Sequence, residues 1–464
     1  MMMSQVAQAL GATLHGDDVM MYGVSKDTRD IKNGDLYVAL KGERFDGHQF
    51  VGDATAAGAV AALVSELLVD GDVVLPQVQV TDTRLALGQL AAYWRQNWAQ
   101  QQTGSKLIGI TGSNGKTSVK EMCSKILSDH AGLEAVLATR GNLNNEVGLP
   151  ITLLELQPQH QFAVIEMGAN HVGEIDYLSH IARPDIALVN NVGPAHLEGF
   201  GSLENIAKTK AEIYNGLCEN GIAIINLDDV FSTYWLDYCA EIDSIGEIVT
   251  FSMRDENADV YAVAIADNHY QFITESDRAD VRLRVPGKHN VMNALAATAA
   301  THSAGVALSS IAASLSAFEN IQGRLTVTTS ALGYQVIDDT YNANPLSVSA
   351  AIDVLAAMQG KKTILVLGDM AELGEDAIRL HSEIGSKAKT AGINNLYATG
   401  SLSMNTVRAF GENGFHFEDK NQLIDALQKN LTGSEVVLIK GSRSAAMEEV
   451  VKRVLTQQNN KRVN

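Results

Sequence analysis

Short apolar runs return along this chain, separated by segments whose apolar positions recur three and four residues apart. That alternation predicts strands of a parallel sheet joined by helices. In the first hundred residues the strand-like runs are 36–40 and 61–64, mixed with helices and ending in a helix through Tyr93-Trp94-Arg95. The polar stretch from Gln96 to Lys106 reads as a linker, with a domain boundary near residue 100. Runs at 107–110, 162–165, 186–189 and 223–225 predict a second parallel sheet. Period-two alternation over 260–285 predicts antiparallel hairpins, followed by a helix over 290–304. After Gly323 the rhythm restarts, with runs at 334–337, 363–367, 395–398 and 435–439, each preceding a helical stretch. The predicted fold class is α/β in three domains: an N-terminal α/β domain over 1–98, a central parallel-sheet domain over 99–322, and a C-terminal Rossmann-like, doubly wound domain over 323–464.

Composition narrows the partners. A chain of 464 residues is too long for one core and suggests about three domains. With 35 basic against 54 acidic residues, a net charge of −19 argues against a nucleic-acid or anionic-membrane surface, so an anionic ligand must be handled locally. Cys123, Cys218 and Cys239 form no Cys-x-x-Cys pair, which fits buried thiols in a reducing compartment. The first residues lack a basic segment with an apolar core, and no run of about 18 apolar residues occurs. The expectation is a cytoplasmic protein, neither secreted nor membrane-spanning, and a monomer.

The candidate chemistry begins at Gly109-Ile110-Thr111-Gly112-Ser113-Asn114-Gly115-Lys116-Thr117-Ser118, which follows an apolar run and opens a helical one. Glycines let several backbone N–H groups face one anion, Lys116 adds a point charge, and the Thr117 hydroxyl can hold Mg²⁺. The strict phosphate-loop spacing asks for glycine where this chain has Ile110, so the loop is a variant form. Glu166 and His196 both follow strand-like runs, where open α/β sheets hold their ligands. A carboxylate suits Mg²⁺, whereas imidazole suits it less well and reads equally as a loop histidine. In the helical run 204–214, Lys208 and Lys210 lie on different faces, so only one can point inward. Asn142, Asn144 and Asn145 precede a helix, as ligand-binding amides or as capping residues. In the third domain Asp338-Asp339-Thr340-Tyr341-Asn342-Ala343-Asn344-Pro345, Gly368-Asp369-Met370-Ala371-Glu372-Leu373 and Lys440-Gly441-Ser442-Arg443 each follow a strand, and three such clusters on one sheet edge make a pocket.

The phosphate loop, Glu166-Met167-Gly168-Ala169-Asn170, Gly287-Lys288-His289-Asn290 and Gly323-Arg324 together resemble the Mur ligase family of cytoplasmic peptidoglycan synthesis. The third-domain clusters are similar to the branch that adds D-alanyl-D-alanine to UDP-N-acetylmuramoyl-tripeptide, and the Asp-Asn-Pro-Arg run of the diaminopimelate-adding branch is absent. At the front, Val24-Ser25-Lys26-Asp27-Thr28-Arg29 and Lys41-Gly42-Glu43-Arg44-Phe45-Asp46-Gly47-His48 are similar to the family's uridine-nucleotide-binding domain.

The resemblance implies roles residue by residue. Gly112, Asn114, Gly115, Lys116, Thr117 and Ser118 would hold the ATP phosphates, with Asn290 beside adenine, Arg324 on phosphate and Asp339 on ribose. Thr117, Glu166, His196 and a carbamylated Lys210 would hold Mg²⁺, and Lys116, Lys210, Glu166 and His196 form the implied catalytic set. Ser25, Arg29, Arg44, Asp46, His48, Asn142, Asn144, Asn145, Asn342, Asn344, Asp369, Lys440 and Arg443 would contact the two other substrates. The implied reaction is carboxylate activation by ATP through an acyl phosphate, then attack by the dipeptide amine, with closure about hinges near residues 100 and 322. Two other readings stay open: a related ligase such as folylpolyglutamate synthase, and a phosphate-loop ATPase switch.

Overall fold

Alternating apolar runs and helices close into three main sheets, beside a two-stranded pair of Lys41–Gly42 with Phe45–Asp46, in the computed structural model, which describes residues 1–42, 45–68, 75–194, 197–358 and 360–456. The first sheet has five strands in the order Thr13–His15, Gln77–Gln79, Ala61–Val64, Asp35–Val38, Gly23–Ser25, parallel except at the first pair. Two of the three internal strands, Asp35–Val38 and Ala61–Val64, are buried at every position, which is why they read as continuous apolar runs rather than alternating ones.

The central sheet has nine strands. Gly221–Asn226, Ile186–Val189, Lys106–Thr111, Phe162–Glu166 and Val136–Ala138 run parallel in that order, so the carboxyl ends of Lys106–Thr111, Phe162–Glu166 and Ile186–Val189 lie side by side. Beyond Gly221–Asn226 come Ile245–Ser252 and then the expected antiparallel ribbon, Val260–Ala266, His269–Thr274 and Arg278–Arg282. The third sheet orders Thr326–Thr329, Gln335–Asp339, Glu435–Lys440, Lys362–Leu367, Asn395–Thr399 and Gly414–Phe417, with only the first pair antiparallel.

One sequence expectation is corrected here. The polar stretch after Arg95 is no connector: the helix runs Thr83–Gln101, so residue 100 lies inside it. Gln96, Gln100 and Gln101 face solvent while Leu87, Leu90, Ala91 and Trp98 join a single apolar cluster that also contains Leu36 and Leu63 of the first sheet and Leu107, Leu149 and Ile181 of the central domain. Three side chains fasten the same helix to the central domain through five hydrogen bonds. Trp94 Nε1 donates to Leu156 O at 2.9 Å, Trp98 Nε1 to His160 O at 3.0 Å, and Arg95, 2% exposed, donates to Ala182 O, Arg183 O and, at 2.8 Å, to Asp185 Oδ2. The front sheet is thus bolted to the central domain through a buried ion pair, and breaking such a pair costs about 3–5 kcal/mol.

Candidate active site

The three strand ends of the central sheet open onto a cleft of about 1870 Å³ walled on its other side by the third sheet. The phosphate-type loop spans the turn from Lys106–Thr111 to the helix Lys116–Ala131. Gly115 takes φ +78° there, and a Cβ at that position would sit 2.3 Å from Asn293 Oδ1 and 2.5 Å from Asn190 Nδ2, so only glycine fits. Amides brace the loop from below: Asn191 Oδ1 accepts from the Asn114 N–H at 2.9 Å, and Asn190 Nδ2 donates to Asn114 O at 2.9 Å. Gly112, Asn114, Gly115, Lys116, Thr117 and Ser118 are all parts of this turn, and Lys116 Nζ folds back onto Gly112 O at 2.8 Å. Burial lowers the Lys116 amine below its ordinary value and nearby Arg324 adds to that, against the opposing pull of Glu166.

A chain of hydrogen bonds joins the loop to the strand ends. Glu166, 2% exposed, accepts from Thr117 Oγ1 at 2.9 Å on one oxygen and from Asn144 Nδ2 at 2.7 Å on the other. Arg324 reaches across from the third domain to donate to Thr117 Oγ1 at 2.8 Å, and its guanidinium lies 4.2 Å from the Tyr341 ring centroid. Asn344 Nδ2 also crosses, donating to Asn114 Oδ1 at 2.8 Å. The central and third domains therefore meet at the phosphate loop itself.

The choice between the two lysines is settled by burial. The helix Leu203–Ala211 leaves Lys208 exposed and buries Lys210 to 3% exposure, with Nζ 5.9 Å from the Phe200 ring centroid. Desolvation, reinforced by the Lys116 cation and opposed by Glu212, brings the Lys210 amine down to about 7. An amine with that value has a substantial neutral fraction near physiological pH, and that neutral form is a competent nucleophile. His196 and Arg44 lie outside the described residues.

Other sequence candidates are distributed differently from expectation. Asn142, Asn144 and Asn145 all line the cleft, and Asn145 Oδ1 also accepts from the Gly148 N–H at 2.9 Å at the start of the next helix. Asn290 is buried at the cleft, its Nδ2 donating to Pro286 O and its Oδ1 accepting from Asn293. Asp339 pairs with buried Lys440 at 2.6 Å, and Lys440 also donates to Asn342 O at 2.8 Å, so this lysine is a strut inside the domain rather than a free cation. Asn342 Oδ1 accepts from the Arg443 N–H, and the Arg443 side chain is 70% exposed at the cleft edge beside Glu448.

One candidate is corrected. Asp369 is not in the cleft: its carboxylate accepts from Leu402 N, Ser403 N and Ser403 Oγ at the start of the helix Ser403–Phe410. Asn344 lines the cleft while one end of its amide donates to Asn114 and the other caps the helix Pro345–Ala356 through the Ser347 N–H at 2.9 Å, which leaves one N–H and one lone pair for a ligand. In the front domain Ser25 and Asp27 form a local turn, Arg29 pairs with Asp27, and His48 bridges Asp46 and the Ser65 N–H. None of Ser25, Arg29, Asp46 and His48 lines the central cleft. A smaller groove of about 360 Å³, bordered by Arg84, Leu85 and Tyr177, shares Glu146, Gly168 and Glu174 with that cleft and extends it toward the start of the helix Thr83–Gln101.

Sequence reasoning placed Tyr341 in a pocket-forming cluster without giving it a role, and it missed Asn190, Asn191 and Asn293. The signal was present for the asparagines: an Asn-Asn pair directly after a strand, and Asn293 three residues after Asn290 on one helix face.

Comparisons with known proteins agree with this layout. Residues 20–95, 110–301 and 323–443 match the models for "Mur ligase family, catalytic domain", "Mur ligase middle domain" and "Mur ligase, glutamate ligase domain". The chain is 46% identical over 458 residues, 97% of either chain, to UDP-N-acetylmuramoyl-tripeptide--D-alanyl-D-alanine ligase of Escherichia coli K12, and 34% identical to that of Bacillus subtilis over 95% of its length and 94% of the relative's. Its fold is similar to a crystal structure of MurF from Acinetobacter baumannii, with a TM-score of 0.88, 36% identity and coverage of 97% and 98%. It also resembles the MurF ligase of Thermotoga maritima in complex with ADP, with a TM-score of 0.80, 28% identity and coverage of 94% and 97%. With its central and third sheets meeting at one phosphate loop and with full-length relatives of this kind, the chain belongs to the Mur ligase family.

Proposed function

We propose that this chain is an ATP-dependent amide ligase that joins D-alanyl-D-alanine to UDP-N-acetylmuramoyl-tripeptide, giving the UDP-N-acetylmuramoyl-pentapeptide, ADP and phosphate in peptidoglycan precursor synthesis. The observation that carries the reading is the Arg324–Thr117–Glu166 chain, which brings a third-domain cation and a central-domain carboxylate onto one phosphate loop. Its relatives named for this reaction support it over their full length.

A carboxylate is a poor electrophile, so it must first be activated. The tripeptide carboxylate attacks the γ-phosphorus of ATP, the bond to the β,γ-bridging oxygen breaks, and an acyl phosphate and ADP result. The dipeptide amine then adds to the acyl carbon, loses a proton, and expels inorganic phosphate. Bringing two anions together requires cations, and Lys116 and Arg324 supply them at the loop. The hydroxyl of Thr117 and the carboxylate of Glu166 are adjacent hard oxygens of the kind Mg²⁺ takes, and among the described residues no cluster of three His, Cys, Asp or Glu side chains forms a preformed cage. That fits a cation whose shell is completed by phosphates and water. Thr117, Glu166, a carbamylated Lys210 and His196 would hold it, where it would neutralise charge developing on the phosphates. As an ammonium, Lys210 would repel such an ion. As the neutral amine that burial favours, it can add to CO₂ and become an oxygen donor.

The acceptor runs from the front domain along the Arg84–Tyr177 groove toward Glu166, and Arg443, the exposed cation at the third-domain edge, faces the dipeptide carboxylate. A domain limit at 322, a cytoplasmic location and a monomeric state belong to the same reading. No helix among the described residues is long and apolar enough to cross a membrane.

The test is phosphate release from ATP and Mg²⁺ with UDP-N-acetylmuramoyl-tripeptide, with and without D-alanyl-D-alanine, and a mass measurement of the product. Release that needs both co-substrates and yields the pentapeptide upholds the reading. Release from ATP alone would favour a switch, and silence with these substrates would point to another acceptor.

A further inference from the structure

The loop 368–373 is the part of the third domain that carries Ala371 and Glu372 into the cleft wall. It is held under local strain. Glu372 takes φ +62°, a left-handed conformation that side chains other than glycine rarely adopt, and its carbonyl accepts from the Glu198 N–H of the central domain at 3.5 Å, across the seam between domains. Strain of this kind persists only where the surroundings over-determine it. Here Gly368 N–H donates to Lys440 O, Ser442 N–H donates to Asp369 O, and the Asp369 carboxylate caps the helix at Ser403.

The remaining clamp is His381, on the helix Ala377–Thr390 and 1% exposed. Its Nε2 lies 3.1 Å from the Met370 N–H and its Nδ1 lies 2.7 Å from Ala377 O. Both partners are backbone atoms with fixed roles. An amide N–H can only donate and a carbonyl can only accept, so the ring must be neutral with its proton on Nδ1. A second proton would set N–H against N–H at Met370 and leave a buried amide unsatisfied. Burial also lowers the imidazole below its ordinary value, against weaker opposing effects from Ala377 O and the Asp369 carboxylate. Of the other charged groups on the surrounding helices, Asp376 and Glu383 pair with Arg379, Asp353 pairs with Lys387, Arg408 donates to Met404 Sδ, and Lys389 is exposed in the last turn of the His381 helix.

We propose that His381 is a positioning residue for the ligation: in its neutral Nδ1–H form it holds loop 368–373 against the dipeptide side of the cleft, and its protonation releases that loop. The proposal rests on the ligase reading for its kinetic readout. It is tested with wild type, His381→Gln and His381→Ala, measuring KM for D-alanyl-D-alanine from about pH 5 to 8. In wild type KM should rise as pH falls through the imidazole titration. In His381→Ala it should be raised about tenfold at every pH, as for one unsatisfied buried amide, while KM for ATP changes less than about twofold. In His381→Gln, whose side-chain oxygen accepts at any pH, the profile should be flat at the lower value. A wild-type profile unchanged in His381→Ala would overturn the proposal. Nitrogen NMR of the His381 ring in the unmodified protein is the independent arm: a protonated Nδ1 and bare Nε2 near neutral pH uphold it, and the opposite tautomer overturns it even if the variants fail to fold. Should wild type make no pentapeptide, the ligase reading falls, and the NMR arm still decides the clamp.

Discussion

Replacing Lys210 by methionine should abolish ligation and at the same time stabilise the protein. The amine is brought from 10.5 to about 7 by burial beside the Lys116 cation. A difference of about 3.5 units at about 1.36 kcal/mol per unit means that the protonated side chain destabilises the folded state by about 5 kcal/mol. The sign follows from proton counting. Below pH 7 both folded and unfolded chains carry the proton, and the full cost is present. Between pH 7 and 10.5 the unfolded chain keeps a proton that the folded chain lacks, so stability rises with pH and the cost fades. Methionine fills the same space without a charge, so the variant should exceed wild type by about 4 kcal/mol near pH 7.5 and by about 1 kcal/mol near pH 9.5. Urea unfolding in CO₂-free buffer, read by tryptophan fluorescence, measures this; Trp235 reports directly, because its Nε1–H donates to Ala207 O on the Lys210 helix at 3.2 Å. A variant no more stable than wild type at neutral pH, or an advantage that does not shrink as pH rises, would refute the reasoning.

Arg324→Ala removes both the donor to Thr117 and the cation stacked on Tyr341, and KM for ATP should rise about 10- to 100-fold; an effect under about twofold in steady-state kinetics would contradict a phosphate role. Asn344→Ala removes a helix cap and the contact with Asn114, so urea unfolding should show a loss of about 1 kcal/mol, and the KM values for ATP and for dipeptide should both move. An effect on the dipeptide alone would mean that Asn344 contacts substrate instead. Arg443→Gln, at an exposed side chain, should raise KM for D-alanyl-D-alanine about tenfold with Tm unchanged; unchanged kinetics would place the dipeptide carboxylate elsewhere.

The strands that were legible in the sequence are those buried on both faces, such as Ile186–Val189 and Ala61–Val64, because full burial enforces an unbroken apolar run. Short edge strands such as Thr326–Thr329 and Gly414–Phe417, whose positions are mostly half-buried or exposed, carry no such run and went unread. The helix Thr83–Gln101 was truncated because its last turn is polar outward, although Trp94 and Trp98 at i and i+4 mark its inner face. In the site, periodicity narrowed the lysines to one inward position without saying which, and packing buries Lys210. The polar runs after strands were visible, but a capping residue and a ligand-binding residue use the same side chains, so Asp369 and Asn344 could not be told from contacts to substrate. The bond from Arg324 to Thr117 joins residues 207 apart, and no local pattern encodes it.

The central claim is that the cleft activates a carboxylate by phosphorylation. It is tested most directly by ligation with tripeptide whose terminal carboxylate carries oxygen-18 on both oxygens, followed by mass analysis of the released phosphate. Passage through an acyl phosphate predicts one labelled oxygen in each phosphate and one in the new amide. Phosphate carrying no label, with its new oxygen drawn from water, would contradict the account.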